Sequence, residues 1–523
     1  LLLENSHRVR VVMKPNRHLG EVNIEAEKNR LADIKRKLSS TEKEEIVKLS
    51  ERLEERQSQT EDLSILPRVT RLDIPVTKNY PEFVPKERNG FILAAAPAGT
   101  NSICYHQIIN SIEVVDREML YLLPVFSNVL SELGSAGRSY LDTQRLQYSV
   151  SGGVSAFSSF RGSPENCEDI KGYFTVSSRT LNRKSHEMMS LLRETALSPR
   201  FDERERFKEL INQMFSRRFN GIASNGHQLA MMLASAYFRK SAAISELGSG
   251  ISGLLELKKI VERIQEDDYV DEILERMVGL GRFIKAGKPH LLVVTGEEYI
   301  AKAEEEIESL WKDNLTEKAE ELNTSNALVG DYFKDTACLI TTQVNFCASA
   351  FPTISEMHED SAALSVLAGV LRNNFLHSEI REKGGAYGGG AMHDSANGVF
   401  RFYSYRDPRL MGTFNDFEKA LDWLYSNEIS DEMIDEAVLG IVSSLDAPGS
   451  PAGEVKQAYH QMLYGNLPDV REQKRKSFLE VKVDDIYSVA DTYLKTEPSR
   501  AVITSENNMK ELSSSFHVFN VNA

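Results

Sequence analysis

The sequence predicts an α+β fold in which two αβ domains, each an antiparallel sheet covered by helices, follow a helical hairpin. Three observations lead to this prediction. Residues 19–66 are rich in charge and place apolar residues at helical spacings, strand-like segments begin after Pro67, and the rest of the chain runs twice through a similar order of elements. Because strands cluster beside long helices without strict βαβ alternation, antiparallel pairing is favoured.

Composition restricts the classes of function. The chain has 523 residues and a formal net charge of -15, which argues against a nucleic-acid partner because phosphate binding needs clustered Lys and Arg. No apolar run approaches the roughly 18 to 20 residues that a bilayer span requires, so no membrane partner is expected. The four cysteines form no CxxC pair, which favours a reducing, intracellular compartment over a disulfide framework.

The N-terminal region has two parts. In residues 1–18, the segment HRVRVVMKP alternates like a half-buried strand whose partner strand lies elsewhere. In residues 19–66, Thr41 and Glu44 fit a capping box that starts a second helix, so a hairpin of two helices is predicted. The apolar residues at helical spacings in this region are Leu31, Ile34, Leu38, Ile46, Leu49 and Leu53.

From Val69 onward the chain forms two similar series of elements. The first contains the strand GYFTVSSRTL and the helices DREMLYLLPVFSNVLSELG and SHEMMSLLRETAL. The second contains the strand VFRFYSYR and the helices SAALSVLAGVLRNNFLHSEI and SDEMIDEAVLGIV in the corresponding order. Each series closes with an apolar strand, HLLVVTG or SRAVITSE. The repeat is one of element order and type, and not of residue identity.

Several common catalytic motifs are absent from the sequence. GLGRFIKAGKP has the wrong spacing for a phosphate-binding loop, and no GxSxG nucleophile elbow occurs. The eleven histidines include no HExxH, no HxxEH and no pair at i,i+4 spacing. No metal-binding residues are therefore predicted in this chain.

The stretch REKGGAYGGG, which begins at Arg381, combines one guanidinium and one phenol with five glycines. Gly384, Gly385 and Gly388 remove side-chain bulk and allow another peptide backbone to approach closely. Arg381 and Tyr387 supply N–H and O–H donors that suit a peptide carbonyl or its oxyanion. From composition alone the alternative is a glycine-rich turn, with Arg381 in a surface ion pair and Tyr387 half-buried by packing.

These segments resemble the pitrilysin and insulinase superfamily of zinc metallopeptidases, and within it the presequence-protease branch. The resemblance spans essentially the whole chain. It rests on NSHRVRVVMKP, the charged hairpin, LPRVTRLDIP, YFTVSSRTL, GIASNGHQLAMMLASAYFRKSAAISELGSGISGL and REKGGAYGGG, in that order. It implies four similar αβ domains that form two bowls joined by a helical hairpin, and it identifies this chain with the second bowl.

The domain boundaries follow from that resemblance. Residues 1–18 correspond to the last strand of an upstream domain, and residues 19–66 to the helical hairpin that links the bowls. Residues 67–322 correspond to a third, non-catalytic pitrilysin-type domain, and residues 323–523 to a fourth. The fourth domain carries the glycine-rich stretch.

The resemblance also implies where the zinc lies. The family holds its catalytic zinc with HxxEH on a helix of the first domain. On the corresponding helix of this chain, Val125, Asn128 and Val129 stand where the family has His, Glu and His. Zinc is therefore expected in the missing N-terminal half, with none bound by this chain.

The implied catalytic residues of this chain are Arg381 and Tyr387. They match, with the spacing of the presequence-protease branch, an Arg and a Tyr of the fourth domain that reach the scissile carbonyl. The zinc-bearing half would supply the nucleophile, and these donors would hold the carbonyl and its oxyanion. The expected substrate-binding positions beside them are Gly384, Gly385 and Gly388.

The predicted function is that of the C-terminal, zinc-free half of a clamshell metalloendopeptidase for short, unstructured, presequence-like peptides, inactive by itself. Its expected partners are the zinc-bearing N-terminal half and unfolded peptides. The expected location is the mitochondrial matrix or plastid of a eukaryote, or the cytoplasm of a bacterium. The alternatives are a non-catalytic peptide-binding module, an inactive partner subunit, and a self-sufficient hydrolase with an unrecognised site.

Overall fold

The computed structural model describes residues 5–14, 16, 18–58, 65–81, 83–113, 117–312 and 332–521. The chain divides into two compact units, an N-terminal unit that ends at Val69 and a main unit that begins at Thr70. Within the described residues, no helix has both the length and the apolar character needed to cross a membrane.

The N-terminal unit contains the predicted helical hairpin, α1 (Leu19–Lys37) and α2 (Ser40–Ser58). Its capping box differs from the prediction. Ser39 N–H donates to Glu42 Oε2 (2.8 Å), and Glu42 N–H donates to Ser39 Oγ (3.2 Å). The prediction of Thr41 and Glu44 was wrong by two residues. Helix α2 begins at Ser40, so the N-cap residue is Ser39 and its capping-box partner is Glu42.

The segment that was predicted as a strand at the N-terminus is not paired. Described residues 5–14 contain no strand, and Val9 is 90% exposed. A strand needs a partner for its backbone hydrogen bonds, and none of the described residues supplies one. Its assignment to the sheet of an upstream domain stays a prediction.

The main unit is built on two six-stranded sheets. In the first sheet the strand order is β1-β2-β6-β3-β5-β4, and in the second it is β12-β7-β11-β8-β10-β9. The strands of the first sheet are β1 (Lys86–Arg88), β2 (Phe91–Pro97), β3 (Ile103–Ile112), β4 (Val154–Gly162), β5 (Ile170–Leu181) and β6 (His290–Thr295). Those of the second are β7 (Asp335–Leu339), β8 (Phe346–Pro352), β9 (Gly388–Asp394), β10 (Val399–Tyr405), β11 (Ser499–Thr504) and β12 (His517–Asn520).

The strand orders confirm the repeat that the sequence suggested. Strands β2, β6, β3, β5 and β4 correspond in position to β7, β11, β8, β10 and β9. We call 86–311 the first repeat and 335–520 the second. The sheets are mixed, which corrects the prediction of antiparallel sheets: β2 pairs with β6, and β7 pairs with β11 and β12, in parallel. Long helical crossovers return the chain to the sheet in the same direction, and this permits parallel pairing.

Helices account for most of the chain between the strands. In the first repeat they are α3 (Arg117–Leu130), α4 (Tyr140–Val150), α5 (Ser185–Leu197), α6 (Arg204–Ala236), α7 (Lys240–Ser249), α8 (Ile251–Arg263), α9 (Asp267–Lys285) and α10 (Glu297–Trp311). In the second they are α11 (Ser361–Leu371), a π-helix (Arg372–Lys383), α12 (Met411–Ser426), α13 (Asp431–Asp446), α14 (Pro451–Leu463), α15 (Pro468–Glu480) and α16 (Val483–Tyr493). Ser430 caps the N-terminus of α13, since its hydroxyl accepts from Met433 N.

Each sheet is covered on one face by helices of its own repeat and on the other by a helix of the opposite repeat. The C-terminal half of α6 packs on the second sheet, where Ile222, Ala230 and Met231 join the core around Phe346. Helix α14 packs on the first sheet, where Tyr459 is fully buried. The two repeats therefore share their cores. The predicted boundary between residues 322 and 323 lies outside the described residues, so the domain ranges stay predictions.

Candidate functional site

The glycine-rich stretch links the π-helix to strand β9, an edge strand of the second sheet. The backbone closes the helix through Gly385 N–H to Arg381 O (3.1 Å) and Ala386 N–H to Ile380 O (3.1 Å). Gly385 has φ +80°, a conformation that side chains rarely adopt. Tyr387 N–H then donates to Tyr405 O (3.1 Å) and starts the pairing with β10. The turn is thus held at both ends by backbone hydrogen bonds.

Three of the glycines are required by packing inside the protein. A Cβ on Gly384 would lie 2.0 Å from Arg409 Nη2, and that guanidinium is ion-paired with Asp416 (2.9 Å). A Cβ on Gly389 or Gly390 would lie 2.7 or 2.8 Å from side chains of the π-helix. Gly384 is also buried. Its absence of a side chain therefore has a structural reason, and nothing in the geometry opens it to a ligand.

Gly388 differs from these glycines. No atom lies within 4 Å of the position that its Cβ would occupy, so the space above it is open. It is the first residue of β9, and it pairs with Tyr405. Gly385 is exposed, but its backbone conformation explains the glycine. Of the three predicted substrate-binding glycines, Gly388 is the one whose geometry leaves room for another backbone.

Arg381 lies in the last turn of the π-helix with an exposed side chain. Its Nη1 donates to His377 Nε2 at 3.3 Å, and His377 Nδ1 lies 3.7 Å from Glu382 Oε1. Among the described residues, no carboxylate forms an ion pair with Arg381. The described residues therefore do not form the surface ion pair that was the alternative from composition. Most N–H donors of the guanidinium are available to a ligand.

Tyr387 has a side chain that is 70% exposed. Its ring packs edge-on against Tyr405, with centroids 5.6 Å apart, and Tyr405 packs in turn against His227 of α6 at 4.6 Å. Burial lowers the pKa of His227, so this ring is neutral at neutral pH. In the part of the chain that the structure describes, no residue hydrogen-bonds the Tyr387 hydroxyl. The ring is supported from below while its O–H donor remains free.

Sequence reasoning missed two features of this site. His377 is a direct partner of Arg381, and its i,i-4 spacing on one helix face was a usable signal. The π-helix was not foreseen, because the apolar pair Leu376 and Ile380 suits an ordinary α-helix equally well. Such wide helical turns occur frequently at functional sites.

The described residues do not form a zinc site. Val125 and Val129 of α3 are 2% and 0% exposed apolar core residues, and Asn128 Oδ1 is a buried atom without a hydrogen-bond partner. Across the described residues, no group of three His, Cys, Asp or Glu side chains is placed to hold a metal ion. The donor set on α3 therefore does not fit a zinc ion.

One buried cluster has the composition of a nucleophilic site. Cys104 Sγ lies 3.1 Å from His106 Nε2, which lies 3.1 Å from Ser185 Oγ. All three side chains are buried, and burial raises the pKa of Cys104 to about 12 and lowers the pKa of His106 to about 4. A thiolate therefore does not form at neutral pH. This arrangement is a core contact between Cys104 and His106 on one face of β3 and Ser185 of α5, and not a catalytic site.

Comparisons with known proteins agree on one family. Residues 13–260 match the associated region of the M16 peptidases, subfamily C, and residues 335–506 match the PreP C-terminal domain. The protein named mitochondrial presequence protease in Yarrowia lipolytica is 29% identical over 493 residues, which covers 94% of this chain. Together these matches show a presequence-protease-like protein of the pitrilysin superfamily.

The presequence-protease-like chain spans about half the length of the curated relatives that it matches. It covers 49% of the Yarrowia lipolytica protein. The proteins of the same name in Xenopus tropicalis and Mus musculus are each 28% identical, and the chain covers 50% and 51% of them. These relatives therefore contain a long region that has no counterpart in this chain.

Solved structures support the fold. An inactive domain of peptidase M16 from Pseudomonas fluorescens aligns with a TM-score of 0.56 at 15% identity, covering 81% of this chain and 98% of that one. A protease from Helicobacter pylori aligns with a TM-score of 0.57 at 14% identity, covering 82% of this chain and 100% of that one. At this identity the likeness shows the paired αβ fold alone.

Proposed function

We propose that this chain is the C-terminal, zinc-free half of a clamshell zinc metalloendopeptidase that degrades short, unstructured, presequence-like peptides. The observation that carries the proposal is the turn at residues 381–387. It presents the Arg381 guanidinium and the Tyr387 hydroxyl to solvent from a backbone fixed at both ends. The match to the PreP C-terminal domain supports the same interpretation, as does the half-length match to relatives named presequence protease.

The two donors suit one chemical task. A guanidinium offers charged N–H donors and a phenol offers an O–H donor, and both stabilise an oxyanion that forms on a peptide carbonyl. The backbone that carries Arg381 and Tyr387 is held by hydrogen bonds at both ends, so these donors need little reorganisation when negative charge develops on the carbonyl oxygen. Gly388 leaves room for the substrate backbone beside them. In this proposal Arg381 and Tyr387 bind the scissile carbonyl, and the chain closes the peptide chamber.

The zinc and its activated water would lie in the N-terminal half, since the described residues of this chain do not fit a metal. The partners of the chain are then that half and an unfolded peptide. The relatives are named as mitochondrial proteins, which supports the mitochondrial matrix as the location of the complete enzyme.

The test is complementation by the missing half. The N-terminal half of a full-length relative, such as the Yarrowia lipolytica protein, is expressed separately and mixed with this chain, and the cleavage of a quenched fluorescent peptide is followed with and without a zinc chelator. The proposal expects no cleavage by this chain alone and chelator-sensitive cleavage by the mixture. Zinc-dependent cleavage that proceeds equally well without this chain would overturn its catalytic contribution.

A second candidate is a non-catalytic peptide-binding module or an inactive partner subunit. One observation favours it: a structure with the same paired fold is described as an inactive domain of its peptidase family. Peptide binding by the chain without any cleavage in the mixture would support this candidate over the first.

A further inference from the structure

A cleft of about 460 Å³ runs along strand β4 in the first repeat. Strand β4 is the edge of the first sheet, because β5 is its only neighbour among the described strands. Five consecutive residues, 156–160, line the cleft. Side chains alternate between the two faces of a strand, so a cavity on one face would meet every second residue. Contact with consecutive residues means that the cleft follows the open edge of the strand.

The opposite wall of the cleft is formed by helices. Helix α3 contributes one face, helix α7 contributes another, and α6 contributes one side chain. The apolar and small residues of this wall are Leu120, Pro124, Met214, Ile244 and Gly248. A peptide strand beside β4 would point alternate side chains into this wall and the remaining ones away from it. Apolar side chains are the ones that this wall accommodates.

One polar atom of the wall lacks a partner. Asn128 Oδ1 is buried without a hydrogen bond. The neighbouring serines of the wall are satisfied, since Ser127 Oγ donates to Leu123 O (2.8 Å) and Ser245 Oγ to Ser241 O (3.0 Å). A buried acceptor without a donor is costly, and a ligand that supplies an N–H removes that cost. A ligand with an N–H group next to Asn128 Oδ1 would therefore fit the cleft.

A proline in the same helix removes one backbone N–H donor from the wall of the cleft. Pro124 lies inside α3 and has no N–H, so it cannot supply the usual i to i-4 hydrogen bond to the Leu120 carbonyl. Both residues line the cleft. The edge of β4 supplies main-chain donors and acceptors to the cleft, and of these the Ser159 carbonyl already accepts from the Tyr464 hydroxyl (3.1 Å). A peptide backbone is the ligand that offers both kinds of group at a regular spacing.

We propose that this cleft binds an extended peptide segment as an additional strand on β4, with apolar side chains at alternate positions packed against α3 and α7. The residues involved all belong to the first repeat. They carry no part of the oxyanion role proposed for Arg381 and Tyr387. The site would capture a stretch of an unfolded chain through its backbone and would tolerate many sequences, because main-chain hydrogen bonds provide most of the recognition.

The test is fluorescence anisotropy with the 523-residue chain and a fluorescein-labelled peptide of alternating valine and threonine between terminal lysines. The same peptide N-methylated at every second residue is the control ligand, since it cannot complete strand pairing. Gly248→Leu fills the cleft, because a Cβ at Gly248 already lies 3.7 Å from Pro124 Cγ. Gly279→Leu is the matched control on helix α9, since no neighbouring atom lies within 4 Å of the position that its Cβ would occupy.

The proposal expects a Kd that rises at least about tenfold for Gly248→Leu, an unchanged Kd for Gly279→Leu, and weak binding of the N-methylated peptide. Asn128→Leu removes the buried acceptor without filling the cleft from α7, and a rise in Kd of about three- to tenfold is expected. Tyr148→Phe, at an exposed tyrosine of α4 outside the cleft, should bind the peptide as the wild type does. The cleft variants leave the turn at Arg381 and Tyr387 unchanged, so a failure of this proposal would leave the proposed catalytic role untouched.

Three outcomes would overturn the proposal. They are equal binding of the plain and N-methylated peptides, wild-type affinity in both Gly248→Leu and Asn128→Leu, and the absence of any binding to the wild-type chain. Analytical ultracentrifugation of the chain without peptide tests whether a second copy of the chain occupies the cleft instead. A dimer that Gly248→Leu abolishes would assign the β4 edge to a second copy of the chain instead of a peptide.

Discussion

Gly226 of helix α6 lies directly against Phe346 of strand β8, so that a Cβ on the glycine would be 2.5 Å from the ring. The two residues belong to different repeats. Gly226→Ala is therefore expected to lower the free energy of unfolding by about 1–3 kcal/mol, because the ring or the helix must move. Urea denaturation of the variant measures this loss.

The control for this substitution lies on the same helix. Gly221 has no neighbouring atom closer than 4.0 Å to its Cβ position. Gly221→Ala should leave stability unchanged or raise it by up to about 1 kcal/mol, because alanine favours the helix. Equal effects of the two substitutions would mean that the contact between α6 and the second sheet is looser than described.

Glu246 predicts a pH dependence of stability. It is fully buried in α7, where Oε1 accepts a hydrogen bond from Ser252 N (2.8 Å) at the start of α8, and burial raises its pKa from 4.5 to about 8. The folded chain thus keeps a proton that the unfolded chain releases between these two values. The stability contributed by this group is complete below pH 4.5 and declines as pH rises toward 8.

Glu246→Gln cannot ionise and should remove this decline. The free energy of unfolding of the variant minus that of the wild type is expected to grow with pH, by at most about 1.4 kcal/mol per pH unit. Denaturation of both proteins at several pH values across the window measures the difference. Parallel stability curves for the two proteins would show that Glu246 stays ionised, held by Arg218 nearby.

Tyr387→Phe tests the oxyanion role in the complete enzyme. Loss of the hydroxyl is expected to lower kcat by roughly 10- to 1000-fold, which brackets the effect of removing one oxyanion donor. Tyr148, which is 86% exposed on α4, provides the matched control, and Tyr148→Phe should leave peptide turnover unchanged. Unaltered turnover in Tyr387→Phe would remove Tyr387 from the proposed mechanism.

His377 is expected to position Arg381. Its Nε2 accepts from the guanidinium at 3.3 Å, so His377→Ala should lower kcat in the complete enzyme by about three- to tenfold through the loss of one orienting hydrogen bond. Glutamine offers an amide oxygen as an acceptor, and His377→Gln should recover most of the activity. If Ala and Gln variants lose the same activity, the imidazole has another role.

The buried thiols predict resistance to alkylation. Burial raises the pKa of Cys104 to about 12, and all four cysteines are buried. Iodoacetamide at neutral pH should therefore modify the folded chain very slowly and leave the reconstituted peptidase active. Rapid modification of Cys104 with a parallel loss of activity would instead favour a self-sufficient hydrolase centred on Cys104 and His106.

Much of the fold was accessible from the sequence because its signals are local. The helical spacing of α1 and α2 and the order and type of the repeated elements each depend on residues within a few turns of one another. The parallel insertion of β6 beside β2 was missed, since the two strands are almost two hundred positions apart and both are simply apolar. The packing of α6 and α14 on the sheet of the other repeat was also missed, because contacts between residues so far apart in sequence produce no local pattern.

The sequence predicted some residues of the candidate site better than others. Arg381 and Tyr387 stood out by residue type, and the structure places both at the surface. The meaning of the glycines was less accessible, because the atoms that exclude a side chain at Gly384 belong to Arg409. The sequence shows that these positions lack side chains, whereas the structure shows which atoms occupy the place of the missing side chain.

The exchange of α6 and α14 between the repeats makes the main unit an obligate pair. If the chain were cut between the two repeats, the first sheet would lose α14 and the second sheet would lose α6. Each fragment would then expose an apolar sheet face to water. Neither piece would behave as an independent module, and shuffling one repeat into a new protein would require the other to travel with it. The two repeats therefore depend on each other for stability, and damage to one repeat weakens both.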